Sequence, residues 1–299
     1  MSSCLAEMLL ALALPAWAET KPLSWAPPKL TNPETIQLGA NHRSLKLDKN
    51  KDFLVKLPED KPWIGELNIY GGRNVVIIGG EIHIPSPDED PSFADDAQPK
   101  RSRRALYLKG QSGTIHVEGV LISGAGLKEG VNLDERAPGC IVQLQNIRVE
   151  KLVGSYAGHH ADVIQTWAGP SELRVDGLTA HTTYQGFFML PNQHFQVDKG
   201  GHLPTRWDFR RINILGTDES AYLLWVPDNH AFPIAIEDVW VRPASRCAGN
   251  RDMFLWPKPK KKNDQTWEKV REGTPPAGDF VPEGVAGLGY RSPGYREQP

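Results

Sequence analysis

Apolar residues along most of this chain come in short bursts, not at the three-to-four spacing of an amphipathic helix. Five bursts share the pattern apolar-x-x-apolar-x-apolar: Val117/Val120/Ile122, Leu144/Ile147/Val149, Val175/Leu178/Ala180, Phe209/Ile212/Ile214 and Ile236/Val239/Val241. Their starts lie 27, 31, 34 and 27 residues apart. The third position is usually a turn-forming residue, Gly119, Asn146, Gly177 or Asp238, with Arg211 the exception. A second family of short strands falls between the bursts, beginning at Ala105, Val131, Asp162, Phe187, Ala221 and Met253. An earlier pair, ELNIYG and NVVIIGG, belongs to the same unit. No unit holds a helical pattern long enough to serve as a crossover, which sets aside a doubly wound α/β fold. Such strands bury a face only by stacking, each pairing with its equivalent one repeat away at ~4.8 Å per turn. The pattern therefore predicts an all-β solenoid.

Composition supports this reading. The chain has 28 Gly and 25 Pro in 299 residues, about 18% against ~12% in an average protein. Residues that break helices this often exclude a helical bundle. Charge is balanced at net −2, whereas a nucleic-acid partner calls for a basic surface. Residues 8–18 form an apolar run ending Ala16-Trp17-Ala18. This reads as a secretory signal peptide, too short to span a bilayer, so the chain is expected to be exported to a periplasmic or extracellular space. No other stretch is long enough to cross a membrane. Cys4 lies in the signal. Cys140 and Cys247 fall about three turns apart, roughly 14 Å, beyond disulfide reach.

The segments NVVIIGGEI (74–82), TIHVEGVLI (114–122), HADVIQTW (160–167) and ELRVDGLTAHTTYQG (172–186) together resemble the right-handed parallel β-helix proteins of the pectin-lyase-like superfamily. The resemblance implies about seven turns over residues 45–256, after a signal (1–18) and an extended lead-in (19–44). The Pro-, Gly- and Lys-rich tail (257–299) is expected to cover the last turn. It also implies a monomer acting on a polysaccharide or other glycan, as a lyase or a glycoside hydrolase. The alternative is a non-catalytic envelope or surface protein that binds glycan.

Candidate chemistry gathers in one turn. The HADVIQ strand sets polar groups where its neighbours are apolar, and a buried polar group without partners costs roughly 2–7 kcal/mol. Whether Asp162 or Gln165 points inward is left open by the pattern. Stacking brings His160, Gln185 and Glu219 into one column, and His159, Tyr184 and Asp218 into the next. Asp162, His160, Tyr184 and His181 are the expected catalytic groups. Gln165, Gln185, Trp167, Trp225 and Glu219 are the expected substrate contacts. In a lyase, His160 serves as base and Tyr184 as acid. In a hydrolase, Asp162 and Glu219 stand two turns apart, about 10 Å, and Asp134 and Asp162 one turn apart. The paired aspartates and Gly-His-Gly of polygalacturonases and the R-x-P-x-x-R of pectate lyases are missing from the sequence. No metal or cofactor is expected. Asp88–Asp90 and Asp95–Asp96 offer oxygen ligands for Ca²⁺, but read better as a solvated loop.

Overall fold

The computed structural model describes residues 22–39, 42–98, 100–193, 203–217 and 219–294. The expected signal peptide, Cys4 and Asp218 lie outside the described residues. Every strand pairs in parallel, in two sheets. The first takes β1 (Glu34–Gln37), β3 (Phe53–Lys56), β6 (Val75–Ile78), β9 (Thr114–Glu118), β12 (Ile141–Leu152), β14 (Glu172–Thr182), β16 (Arg206–Gly216), β18 (Ile234–Arg242) and β20 (Arg271–Glu272), in that order. The short strands β4 (Trp63–Ile64), β7 (Glu81–His83) and β10 (Leu121–Ser123) extend it. The second takes β2 (Ser44–Leu47), β5 (Leu67–Gly71), β8 (Arg104–Lys109), β11 (Glu129–Asp134), β13 (Asp162–Ala168), β15 (Phe187–Met189), β17 (Leu224–Trp225) and β19 (Leu255–Trp256). The chain returns to each sheet once per repeat, as a solenoid requires. Parallel pairing reaches from Glu34 to Glu272, beyond the expected limits on both sides.

The five bursts of the sequence form continuous ladders. Val117, Leu144, Val175, Phe209 and Ile236 pair rung to rung, and Ile122, Val149, Ala180, Ile214 and Val241 do the same. Between them the chain bends through one residue of positive φ: Gly119 (67°), Asn146 (54°), Gly177 (68°), Arg211 (45°) and Asp238 (56°). Glycine takes this backbone without strain, and Asn and Asp tolerate it. At Gly177 a Cβ would also lie 2.7 Å from Asn146 Oδ1. Arg211 is held there by two 2.6 Å bonds to the buried Asp176 carboxylate.

In the second sheet the inward row is Leu67, Leu106, Val131, Ile164, Phe187, Leu224 and Leu255, all essentially buried. The register expected from the sequence set Ala105, Asp162, Ala221 and Met253 beside Val131 and Phe187. The structure sets Leu106, Ile164, Leu224 and Leu255 there. Loops of unequal length before each strand shift the true phase by one to three residues. Because side chains alternate, the next position forms the outward row: Asn68, Tyr107, Asn132, Gln165, Phe188, Trp225 and Trp256. Gln165 therefore faces outward and is half-buried.

Both ends pack on the outer face of the first sheet. In the lead-in, the Trp25 backbone N–H donates to Gln145 Oε1 (3.1 Å) and Gln145 Nε2 donates to the Trp25 carbonyl (2.7 Å). The tail buries Trp267 and adds β20 beside β18. It then runs back along the sheet. Asp279 accepts from Arg148 and Asn213, Thr179 Oγ1 accepts from the Val281 N–H, and the Tyr290 hydroxyl donates to Glu118 (2.6 Å). This return strap, more extensive than cover for one turn, explains why His116, Glu118, Arg148 and Asn213 are buried. The loop before β8 is ordered by Phe93, buried under the Arg101 guanidinium at 4.3 Å, while Arg101 also bonds Glu66. Cys140 and Cys247 are buried free thiols.

Candidate functional site

The outer face of the second sheet joins aromatic rings to charge. Tyr70 and Tyr107 meet edge-on at 5.8 Å, and Tyr107 and Trp167 at 5.4 Å. Trp167 owes its position to an irregularity in the ladder. Leu133 pairs with Thr166 but Asp134 with Ala168, so Trp167 is the extra residue and leaves the ladder. The Arg104 guanidinium lies 4.5 Å from the Trp167 ring centre and 5.2 Å from that of Tyr107. Further along, Phe188 and Trp225 stack at 4.6 Å.

Arg104 leads to an acid centre. Glu129 accepts from Arg104 Nε (2.9 Å) and Asn132 Nδ2 (2.6 Å), and His159 Nε2 stands 3.4 Å from its other oxygen. Burial pushes the Glu129 carboxyl up, but its bonds to His159, Arg104 and Asn132 outweigh burial and hold it below the usual carboxylate range. Asp162 is its neighbour in the β11–β13 ladder. Burial, and then the Glu129 charge, push the Asp162 carboxyl well above its ordinary value, and Oδ1 has no hydrogen-bond partner among the described residues. The two neighbouring carboxyls are thus pushed in opposite directions. Asp162 is only 2% exposed. At the opposite end of β11, in register with Ala168 and not with Asp162, Asp134 accepts from Arg136 (2.7 Å) and Tyr107 (3.1 Å) and pairs with Lys109 (2.7 Å).

Of the residues expected to share one groove, His160, Tyr184 and Glu219 gather with Asp162 in electrostatic reach of Tyr184, while Gln165 and His181 stand elsewhere. His160, Tyr156 and Tyr184 form a small aromatic cluster, with ring centres 6.1 Å and 5.2 Å apart. Glu219 joins it by accepting from the Tyr156 N–H (2.9 Å). Tyr184 is buried, and burial raises its hydroxyl pKa. Gln185 is buried below, its backbone N–H on the Ala161 carbonyl. Asp162 also neighbours Glu129, and Gln165 accepts from Asn132 (2.9 Å) on the outer face beside Trp167. His181 stands in the first sheet, in register with Leu215 and near Arg148, Asp279, Glu150 and Arg242. Burial, and then Arg148, lower its pKa. Sequence reasoning did not single out Arg104, Lys128, Glu129 or Asn132. Aligning the strands on Leu106, Val131 and Ile164 would have stacked Arg104, Glu129 and Asp162 and exposed the ion pair.

A cleft of about 500 Å³ opens at the N-terminal ends of β8 and β11, between the 95–104 and 153–159 segments. Lys100, Arg101, Arg103, Arg104 and Lys128 line it, against only two carboxylates, Asp95 and Glu129. Of the acids on this loop, Asp95 pairs with Lys100 and Arg103, while Asp90 accepts from the Ser92 N–H. Lys128 is half-buried, and burial, then Arg103, lower its pKa. Among the described residues no group of three or more His, Cys, Asp or Glu side chains is placed to hold a metal ion. No helix among them is long and apolar enough to cross a membrane. No family model, no curated protein and no solved structure matches the chain.

Proposed function

We propose that the chain is a right-handed parallel β-helix of about seven turns, of the pectin-lyase-like kind. On this reading it is exported and monomeric, and cleaves an acidic polysaccharide in the cleft beside Glu129. The observation that carries the proposal is the excess of cations around Lys128 and His159, set next to the Arg104–Trp167–Tyr107 platform. A uronate carboxylate can share Arg103 and Lys100 with the exposed Asp95, and a sugar face can pack on the half-buried Trp167 ring.

β-Elimination is the chemistry that suits this set. A base takes the proton from carbon 5, the bond from carbon 4 to the glycosidic oxygen breaks, and a carbon 4–carbon 5 double bond forms. The leaving oxygen takes a proton from an acid. Lys128, in the cleft with its pKa lowered by burial and Arg103, is the base in this reading, and His159, beside Glu129, is the acid. Hydrolysis is less well served, because Asp162, the carboxyl of the pair whose pKa is raised, is buried. The same burial, with the mutual neutralisation of Arg104 and Glu129, favours as second reading a protein that binds glycan without cleaving it.

A panel of polyuronates and neutral glycans tests the choice. Absorbance from unsaturated sugar ends is expected with at least one polyuronate. Binding without product over long incubation would establish the second reading, and neither binding nor product would refute both.

A further inference from the structure

The outward row of the second sheet changes character along its length. After Asn68 and Tyr107 it runs through the amides Asn132 and Gln165 and ends with Phe188, Trp225 and Trp256. Phe188 and Trp225 lie ring on ring, 20° from parallel. Tyr222 closes edge-on against Trp256 at 6.3 Å. All four rings are half-buried and keep a solvent-facing part.

The basic run of the tail lies over the end of this row. The one-turn helix α1 (Pro259–Lys262) follows β19 directly. It is pinned by the Lys260 N–H on Asp252 (2.9 Å) and by the indole of Trp267, which donates to the Trp256 carbonyl (2.8 Å). Lys258 Nζ and Lys262 Nζ each lie 5.1 Å from the centre of the Trp256 ring. Lys260 and Lys261 are exposed. One carboxylate, Asp228, pairs with Lys262. Two lysines over one indole, with two more exposed on the adjoining helical turn, thus make a cationic patch in a chain whose formal net charge is −2.

We propose that Trp225, Trp256, Lys258 and Lys261 form a second binding site, distal to the cleft, for a stretch of anionic polysaccharide lying along the sheet. The inference rests on the polysaccharide reading above for its class of ligand. Three features support that occupant. Rungs ~4.8 Å apart advance by close to the length one pyranose unit adds to a chain. Flat rings take sugar faces, while the lysines take carboxylate or sulfate groups. The half-buried amide of Gln165 supplies a hydrogen-bonding group between this patch and Glu129, four rungs or roughly 19 Å from Trp256. A lipid surface suits it less, because these rings lie in the sheet face and do not project from it.

The test measures binding by the full chain, by calorimetry and tryptophan fluorescence. The probes are oligogalacturonate, heparin, a neutral glucan and vesicles of anionic phospholipid. The variants are Trp256→Ala, the pair Lys258→Glu with Lys261→Glu, and the cleft variant Lys128→Met. The distal variants are expected to weaken binding of one or both anionic glycans by about tenfold, equivalent to one lost stacking or cationic contact. Oligogalacturonate and heparin separate carboxylate from sulfate recognition. Unchanged affinity in both distal variants, with loss only in Lys128→Met, would overturn the second site and leave the cleft reading intact. Loss in the distal variants by a chain that yields no product would uphold the second site while the lyase reading fails. Binding of vesicles but of neither anionic glycan would overturn the proposal in favour of a membrane contact.

Discussion

Glu135 makes stability depend on pH in a way that can be worked out from its surroundings. It follows β11 and is fully buried. Its Oε2 accepts from the Gln111 N–H (2.9 Å), but Oε1 and Gln111 Oε1 have no partner among the described residues. A protonated carboxyl supplies here a donor that the carboxylate lacks. Burial, reinforced by Asp134, pushes the Glu135 pKa from 4.5 up to about 8. The buried Cys140 thiol beside it is likewise pushed up and stays neutral. In the unfolded chain Glu135 loses its proton near 4.5, whereas in the folded chain it keeps it to about 8. Between those values the folded state binds more protons, so stability falls as pH rises. At ~1.36 kcal/mol per pH unit, the loss is about 3 kcal/mol by pH 7 and about 5 kcal/mol once pH passes 8. Glu135→Gln keeps the shape, supplies the missing donor as an amide and removes the titration. Urea unfolding of wild type and variant from pH 5 to 9 is the assay. The advantage of the variant should widen by about 1.4 kcal/mol per pH unit and level off above pH 8. Parallel stability curves across that range would refute the buried, protonated carboxyl.

Three other outcomes are expected. Lys128→Met should lower turnover of a polyuronate by about 10²–10⁴-fold with unchanged circular dichroism, and full activity would remove Lys128 as base. Arg211→Ala strips the partner from Asp176, which is 1% exposed, and should cost about 3–5 kcal/mol in a denaturation curve. Tyr290→Phe deletes the hydroxyl that donates to Glu118 and accepts from Asn146. It should cost about 1–3 kcal/mol and raise hydrogen exchange along residues 279–292, and unchanged exchange would mean the strap is held elsewhere.

The first sheet was legible in the sequence because its repeat unit carries its own phase marker. A residue forced into positive φ sits at a constant offset from the apolar positions, so Gly119, Asn146, Gly177 and Asp238 align the strands even though the loops differ in length. Arg211 hides the marker, since its backbone is held by the Asp176 carboxylate, a partner 35 residues away. The strap is invisible for a similar reason. Tyr290 meets Glu118 across 172 residues, and no local spacing announces such a contact.

The second sheet has no such marker, and this is why the candidate site was read a few residues out of phase. Its strands are two to seven residues long and begin after loops of different length, so the first apolar residue of each is a poor origin. Ala105, Asp162 and Met253 each precede the true inward position by one or two residues. A slip of one residue exchanges the inner and outer faces of a strand. For Asp162 the slip is two residues, which keeps its face but sets it beside Val131 in place of Glu129 and so conceals that partnership. Charge complementarity is the better origin here. Arg104, Glu129 and Asp162 occupy one row, and a cation beside two acids on successive rungs is far more stable than the same groups set against Leu or Val. Testing each register of the short strands for the one that satisfies its charged residues recovers this row and, with it, the outward rings from Tyr107 to Trp256.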